Sequence, residues 1–188
     1  MNIYILAKNY STFKVLQTTF KLYREIKVIN LDFLTFMENY PDVECIVSPA
    51  NSYGMMDGGY DAAISDYLGW DFQEKVQDYI KENYYGEQIV GTSFILKAPK
   101  NKKLIHTPTM IIPSTINDKL IVYTSMRSTL ICALQNNVKS IVIPPFGMGT
   151  GGISDIDGAE LMLDAYKQIK NAQKGKYYYF NLDKYYPE

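Results

Sequence analysis

A single histidine, His106, and two cysteines, Cys45 and Cys132, leave this 188-residue chain little with which to hold a metal. A zinc cluster would need all three to converge, and no C-x-x-C or paired-histidine spacing favours that, so neither a metal site nor a cofactor is expected. The cysteines lie far apart in apolar stretches, which suits reduced core thiols better than a disulfide. Nineteen Lys and Arg against twenty Asp and Glu give a net charge of −1, so the basic footprint of a nucleic-acid binder is missing. No apolar run approaches the length of a membrane span, and the N-terminus lacks the basic start and cleavage pattern of a secretory signal. The expectation is a cytoplasmic protein without a membrane partner. No G-x-x-x-x-G-K-[ST] run exists, which excludes a P-loop NTPase.

Apolar residues make up 47% of the chain, enough for one compact domain over residues 1–188. Alternation and apolar runs predict strands at 2–7, 26–30, 43–48, 88–97, 103–107 and 140–143. A closing strand is expected at 176–182, where Tyr177, Tyr178 and Tyr179 suit a half-buried pleated surface better than a base-stacking platform. Helical spacing marks 12–23, 33–39 (closed by Pro41), 60–68, 71–84, 121–136 and 156–172. Alternating elements without a repeat or linker predict an α/β fold, one sheet with helices on both faces. Its ligand crevice should open at the carboxyl ends of the strands.

Two of those strand exits carry glycine loops. The first follows Ile46-Val47-Ser48 as Pro49-Ala50-Asn51-Ser52-Tyr53-Gly54-Met55-Met56-Asp57-Gly58-Gly59-Tyr60-Asp61, and the second follows Ile143 as Pro144-Pro145-Phe146-Gly147-Met148-Gly149-Thr150-Gly151-Gly152. Glycine lets main-chain amides close around a phosphate, although a tight turn explains either loop alone about as well. Gly147, Gly149 and Gly152 satisfy G-x-G-x-x-G, but the acidic residue a dinucleotide fold needs about twenty positions later is absent, since residues 170–174 read Lys-Asn-Ala-Gln-Lys. A nicotinamide dehydrogenase is disfavoured. Asn51 and Asp61, polar residues among glycines at a strand exit, tilt the pair of loops towards binding.

The runs Ile46-Val47-Ser48-Pro49-Ala50-Asn51 and Asp57-Gly58-Gly59-Tyr60-Asp61-Ala62-Ala63-Ile64 resemble the hallmark I-V-N-A-A-N and G-G-G-V-D-x-A-I of the macro domain family. Leu104-Ile105-His106-Thr107-Pro108 is similar to its I-I-H-x-V segment, Asn30-Leu31-Asp32-Phe33 to its G-D-I-T turn, and 143–152 to its second phosphate loop. The matches keep the family's order from Asp32 to Gly152 and resemble a divergent bacterial or phage-like subgroup. Two departures stand out: Asp57 replaces a glycine, and Gly151 stands where many members carry an aromatic residue.

The resemblance implies a three-layer α/β/α fold with a central mixed sheet, and ADP-ribose, or an ADP-ribosylated substrate, as the ligand partner. It implies that Asp32, with Phe33 alongside, meets the adenine, and that Asn51, beside Ala50, meets the distal ribose. Gly58, Gly59 and Tyr60 would hold one phosphate, and Gly147, Met148, Gly149, Thr150 and Gly151 would grip the diphosphate. Asp61 falls where hydrolytic members position a water, so Asn51 and Asp61 are the candidate catalytic pair. The implied activity is hydrolysis of ADP-ribosyl, O-acetyl-ADP-ribose or ADP-ribose phosphate linkages without a metal; the alternative is a binding module without turnover. Simpler roles compete: Asp32 as a helix N-cap, Asp61 as a stabiliser of its helix N-terminus and His106 as a core buttress. Phe180, on the expected last strand, is a candidate for stacking on adenine, with core packing as its rival.

Overall fold

The computed structural model describes residues 1–187. Six strands form one sheet: β1 (Asn2–Leu6), β2 (Ile26–Ile29), β3 (Cys45–Ser48), β4 (Phe94–Ala98), β5 (Lys102–His106) and β6 (Ser140–Ile143). Their order is β2-β1-β6-β3-β5-β4, and all neighbours run parallel except β4, which pairs antiparallel with β5. Six helices accompany them: α1 (Tyr10–Phe20), α2 (Phe33–Asn39), α3 (Gly59–Leu68), α4 (Phe72–Tyr84), α5 (Leu120–Gln135) and α6 (Asp155–Gln173).

Strand alternation sorts the core into two slabs. Ile3, Ile5, Cys45, Val47, Ile141 and Ile143 point to one face, where Leu16 and Phe20 of α1, Met126 and Leu130 of α5 and Leu161 and Met162 of α6 cover them. Leu6, Ile46, Leu104 and Val142 point to the other, under Phe36 of α2, Ile64 of α3 and Val76 and Ile80 of α4. The expected mixed sheet with helices on both faces is what the chain forms. Because both faces are covered, the central strands read as unbroken apolar runs, and all of β3 is buried. Cys45 and Cys132 are buried free thiols. Among the described residues, no helix is long and apolar enough to cross a membrane.

Two expected strands differ. Residues 88–93 turn instead of extending: Gly91 takes φ +81°, and the Gln88 side chain is drawn inward to bond His106 and the Thr92 carbonyl. Only Phe94–Ala98 remains as strand.

The segment 176–182 forms no strand either and adds to neither edge of the sheet. The tail is held by side chains instead. Asp164 on α6, 5% exposed, accepts hydrogen bonds from the hydroxyls of Tyr178 (2.9 Å) and Tyr185 (2.6 Å) and from Lys184 (3.4 Å). Asp164→Ala would leave these donors without their acceptor, and unfolding in urea should show a loss of about 2–3 kcal/mol. A loss below about 0.5 kcal/mol would show that the tail is not anchored there.

Candidate functional site

One crevice of about 630 Å³ opens where β1, β2, β3 and β6 end. The site residues that the family resemblance assigns all line it: Asp32 and Phe33 after β2, Ala50, Asn51, Gly58, Gly59, Tyr60 and Asp61 after β3, and Gly147 to Gly151 after β6. Lys8, Asn9 and Thr12 from the β1–α1 junction line it as well, as do Thr109, Met110 and Pro113 after β5. The sequence reading missed these. Thr12, Thr109 and Lys8 carry no local motif, and only the central place of β1 brings its exit to the crevice.

The loops are defined by which amides are used. In the second, Met148 donates to Pro145 O, Gly152 to Gly149 O and Ile153 to Gly147 O. The amides of Gly149, Thr150 and Gly151 donate to no acceptor among the described residues. In the first, Met55 donates to Asn51 Oδ1, Met56 to Gln73 Oε1 and Asp61 to Gly58 O, and the amides from Asp57 to Tyr60 have no acceptor among the described residues. Some of these are the orphan donors of the α3 N-terminus, whose partial positive charge suits an anion.

The glycines divide by cause. Gly147 and Gly59 take positive φ, +74° and +54°. At Gly151 a Cβ would lie 2.6 Å from Ile116 Cδ1 and 2.7 Å from Gly147 O, so the fold itself demands glycine. Beside Gly58 and Gly149 the space is open. Packing explains neither of them. Met148 turns away and packs on Gly158 of α6.

Asn51, 4% exposed, braces its own loop by accepting from the amides of Tyr53 (3.0 Å) and Met55 (3.3 Å). Its amide nitrogen donates to none of the described residues. Asp32 is the N-cap of α2, accepting from Thr35 N and Thr35 Oγ1 at 2.9 Å each; these bonds hold its carboxyl below the usual range. Phe33 is buried and packs edge-on against Tyr60, centroids 5.3 Å apart. The Tyr60 hydroxyl is buried without a partner, and burial, then the nearby Asp61 charge, pushes its pKa up.

Asp61 is 8% exposed, on the first turn of α3. Burial pushes its carboxyl up to about 7; a 2.6 Å hydrogen bond from Ser48 Oγ works against that, and the Asp57 charge adds to it. Ser48 is the last residue of β3, and its hydroxyl is also 3.5 Å from the Ala50 amide. That chain of donors ties Oδ1 of Asp61 to the strand end. Ser48→Ala removes a bond that favours the charged form, so the Asp61 titration followed by carboxyl carbon NMR should move up by about one pH unit. An unchanged midpoint would show that the bond does not act on Asp61.

Two residues stand apart from the crevice. His106 is fully buried, its Nδ1 2.5 Å from Gln88 Oε1, and burial pushes its pKa down to about 3, so it stays neutral in the core. Phe180 packs on Tyr123 (4.2 Å) and Tyr185 (5.5 Å) and does not line the crevice, which removes it as an adenine-stacking residue.

Comparisons with known proteins place this geometry. A family model described as Macro domain matches residues 47–162. A protein of Aquifex aeolicus (strain VF5) is 30% identical over 129 residues, covering 69% of this chain and 76% of its own length. Among solved structures, the Oceanobacillus iheyensis macrodomain with ADP superposes with a TM-score of 0.60 at 21% identity, over 71% of this chain and 72% of that one. The macrodomain of Mycobacterium tuberculosis DarG gives 0.59 at 21%, over 68% and 84%. The Trypanosoma brucei macrodomain in complex with ADP-ribose gives 0.58 at 20%, over 71% and 54%. At such identities these structures speak for the fold. The residues matched by the family model begin after β1, α1 and β2.

Proposed function

This chain belongs to the macro domain family, and we propose that its crevice binds ADP-ribose and hydrolyses the bond joining that group to a substrate. The observation that carries this reading is the pair of loops whose amides, 57–60 and 149–151, have no acceptor among the described residues and border one crevice with Asn51 and Asp61. Macrodomains of similar fold with ADP or ADP-ribose bound support the choice of ligand.

In this reading the diphosphate lies between the two loops, taking hydrogen bonds the folded chain leaves unmade. The adenine extends towards Asp32 and Phe33, and the distal ribose reaches Asn51, whose free amide nitrogen donates to a ribose hydroxyl. Asp61 holds a water near the anomeric carbon. As the bond from that carbon to the leaving oxygen breaks, the leaving group keeps the electron pair. The water oxygen bonds to the carbon, and Asp61 takes its proton. A carboxyl held near 7 by burial is well matched to that transfer at neutral pH. The positive charge developing on the sugar is offset by the adjacent diphosphate, so the step needs no metal.

Calorimetric titration with ADP-ribose and incubation with an ADP-ribosylated protein test this together. Heat on binding plus release of free ADP-ribose is the expected result. Binding without release would reduce the protein to a recognition module, and no heat at all would overturn both readings.

A further inference from the structure

The crevice has an unusual balance of charge. Asp32, Asp57 and Asp61 line it with carboxylates, and among the described lining residues Lys8 is the only Lys or Arg. The amides of the glycine loops supply partial charges only, so an anionic ligand entering this crevice meets a single full positive charge. Lys8 is exposed, and no carboxylate among the described residues lies within ion-pair distance of its ammonium.

Its place is set by topology. β1 runs between β2 and β6, so Lys8, two residues past the end of β1, follows a strand whose neighbours lead to Asp32 on one side and to the second glycine loop on the other. The backbone there is pinned. Asn30 Nδ2 donates to the carbonyls of Ala7 (2.8 Å) and Lys8 (3.0 Å), and Asn9 caps α1 by accepting from Ser11 N. A long cationic side chain is thus presented from a fixed root at the boundary between the base end and the phosphate cradle. Its neighbour Asp32, whose oxygens accept from Thr35, feels the Lys8 charge but forms no ion pair with it.

We propose that Lys8 is a specificity-determining residue that contacts a phosphate on the nucleoside side of the ligand, so that the crevice selects nucleotides over nucleosides. This rests on the ADP-ribose reading above and adds to it a residue outside the segment matched by the family model. The phosphate has two sources: the nucleoside-proximal phosphate of the diphosphate, or a phosphate ester on the base-side ribose.

The test is calorimetry of wild type, Lys8→Gln and Lys8→Arg with ADP-ribose, ADP-ribose bearing a 2′-phosphate on the base-side ribose, and adenosine, with melting curves confirming folding. Lys8→Gln should weaken a phosphate-bearing ligand about tenfold, flatten the salt dependence of its binding, and leave adenosine unchanged; Lys8→Arg should retain most of the affinity. Weakening of ADP-ribose itself identifies the diphosphate as the contact, and weakening confined to the 2′-phosphorylated ligand identifies the ribose ester. Affinities for both phosphate ligands within twofold of wild type, or an equal loss for adenosine, would overturn the assignment while leaving the ADP-ribose reading intact. Wild-type protein that binds none of the three overturns that reading and this one with it.

Discussion

Asp61→Asn is expected to lower ADP-ribose release by about 100-fold or more and, in the same protein, to raise the melting temperature at pH 8. The two effects share one cause. Burial holds the Asp61 carboxyl near 7, above its ordinary 3.8, so the folded state binds that proton more tightly than the unfolded chain does. At pH 8 the carboxylate is ionised in both states, and the fold bears the full cost of a buried charge. As pH falls from 7 towards 3.8 the folded state takes up the proton first, and the cost disappears. Asparagine removes the charge while still accepting the hydrogen bond from Ser48. A gain of about 1–2 kcal/mol follows, or roughly 3–6 °C for a chain of this size, shrinking towards zero near pH 4. Melting curves of both proteins from pH 4 to pH 8, alongside release assays, read both halves. Equal melting temperatures at pH 8 would mean that the carboxylate is not strained by its burial. Undiminished release would remove Asp61 from the chemistry.

Gly149→Leu should abolish ADP-ribose binding, with affinity falling about 100-fold or more, and leave the melting temperature within about 1 °C of wild type. The site permits the side chain: φ there is not in the left-handed region, and nothing lies within 4 Å of the Cβ position. The new side chain would occupy the open space beside the unpaired amides of 149–151, where the phosphate is to sit. Gly151→Ala makes the control, because its Cβ would meet Gly147 O at 2.7 Å and must move backbone. That variant should lose about 1–3 kcal/mol of stability as well as affinity. If Gly149→Leu binds normally, the second loop does not cradle the ligand.

Much of this molecule was readable from local pattern. The two glycine loops, the helix periods and the cap at Asp32 depend on each residue's own backbone preferences and its neighbours within one turn. The sheet's covered faces follow from the apolar runs of β3 and β6. Asp32 shows how two readings coexist, since the cap and the crevice lining are the same side chain.

What the chain concealed is non-local. Tyr177 to Tyr179 have strand-like composition, yet they join neither edge of the sheet, and the hydroxyl of Tyr178 is drawn to Asp164 on α6. Lys8 carries no motif and becomes a crevice residue only because β1 enters the middle of the sheet. Likewise, the sequence marks the loop glycines alike, and only packing separates Gly151, held by Ile116, from Gly149, which faces open space. Sequence by itself determined the loops and the helices, whose conformations are decided over a few bonds. Tertiary structure decided which strand exits converge and which amides stay unpaired, because both depend on competition among segments far apart in the chain for the same buried positions.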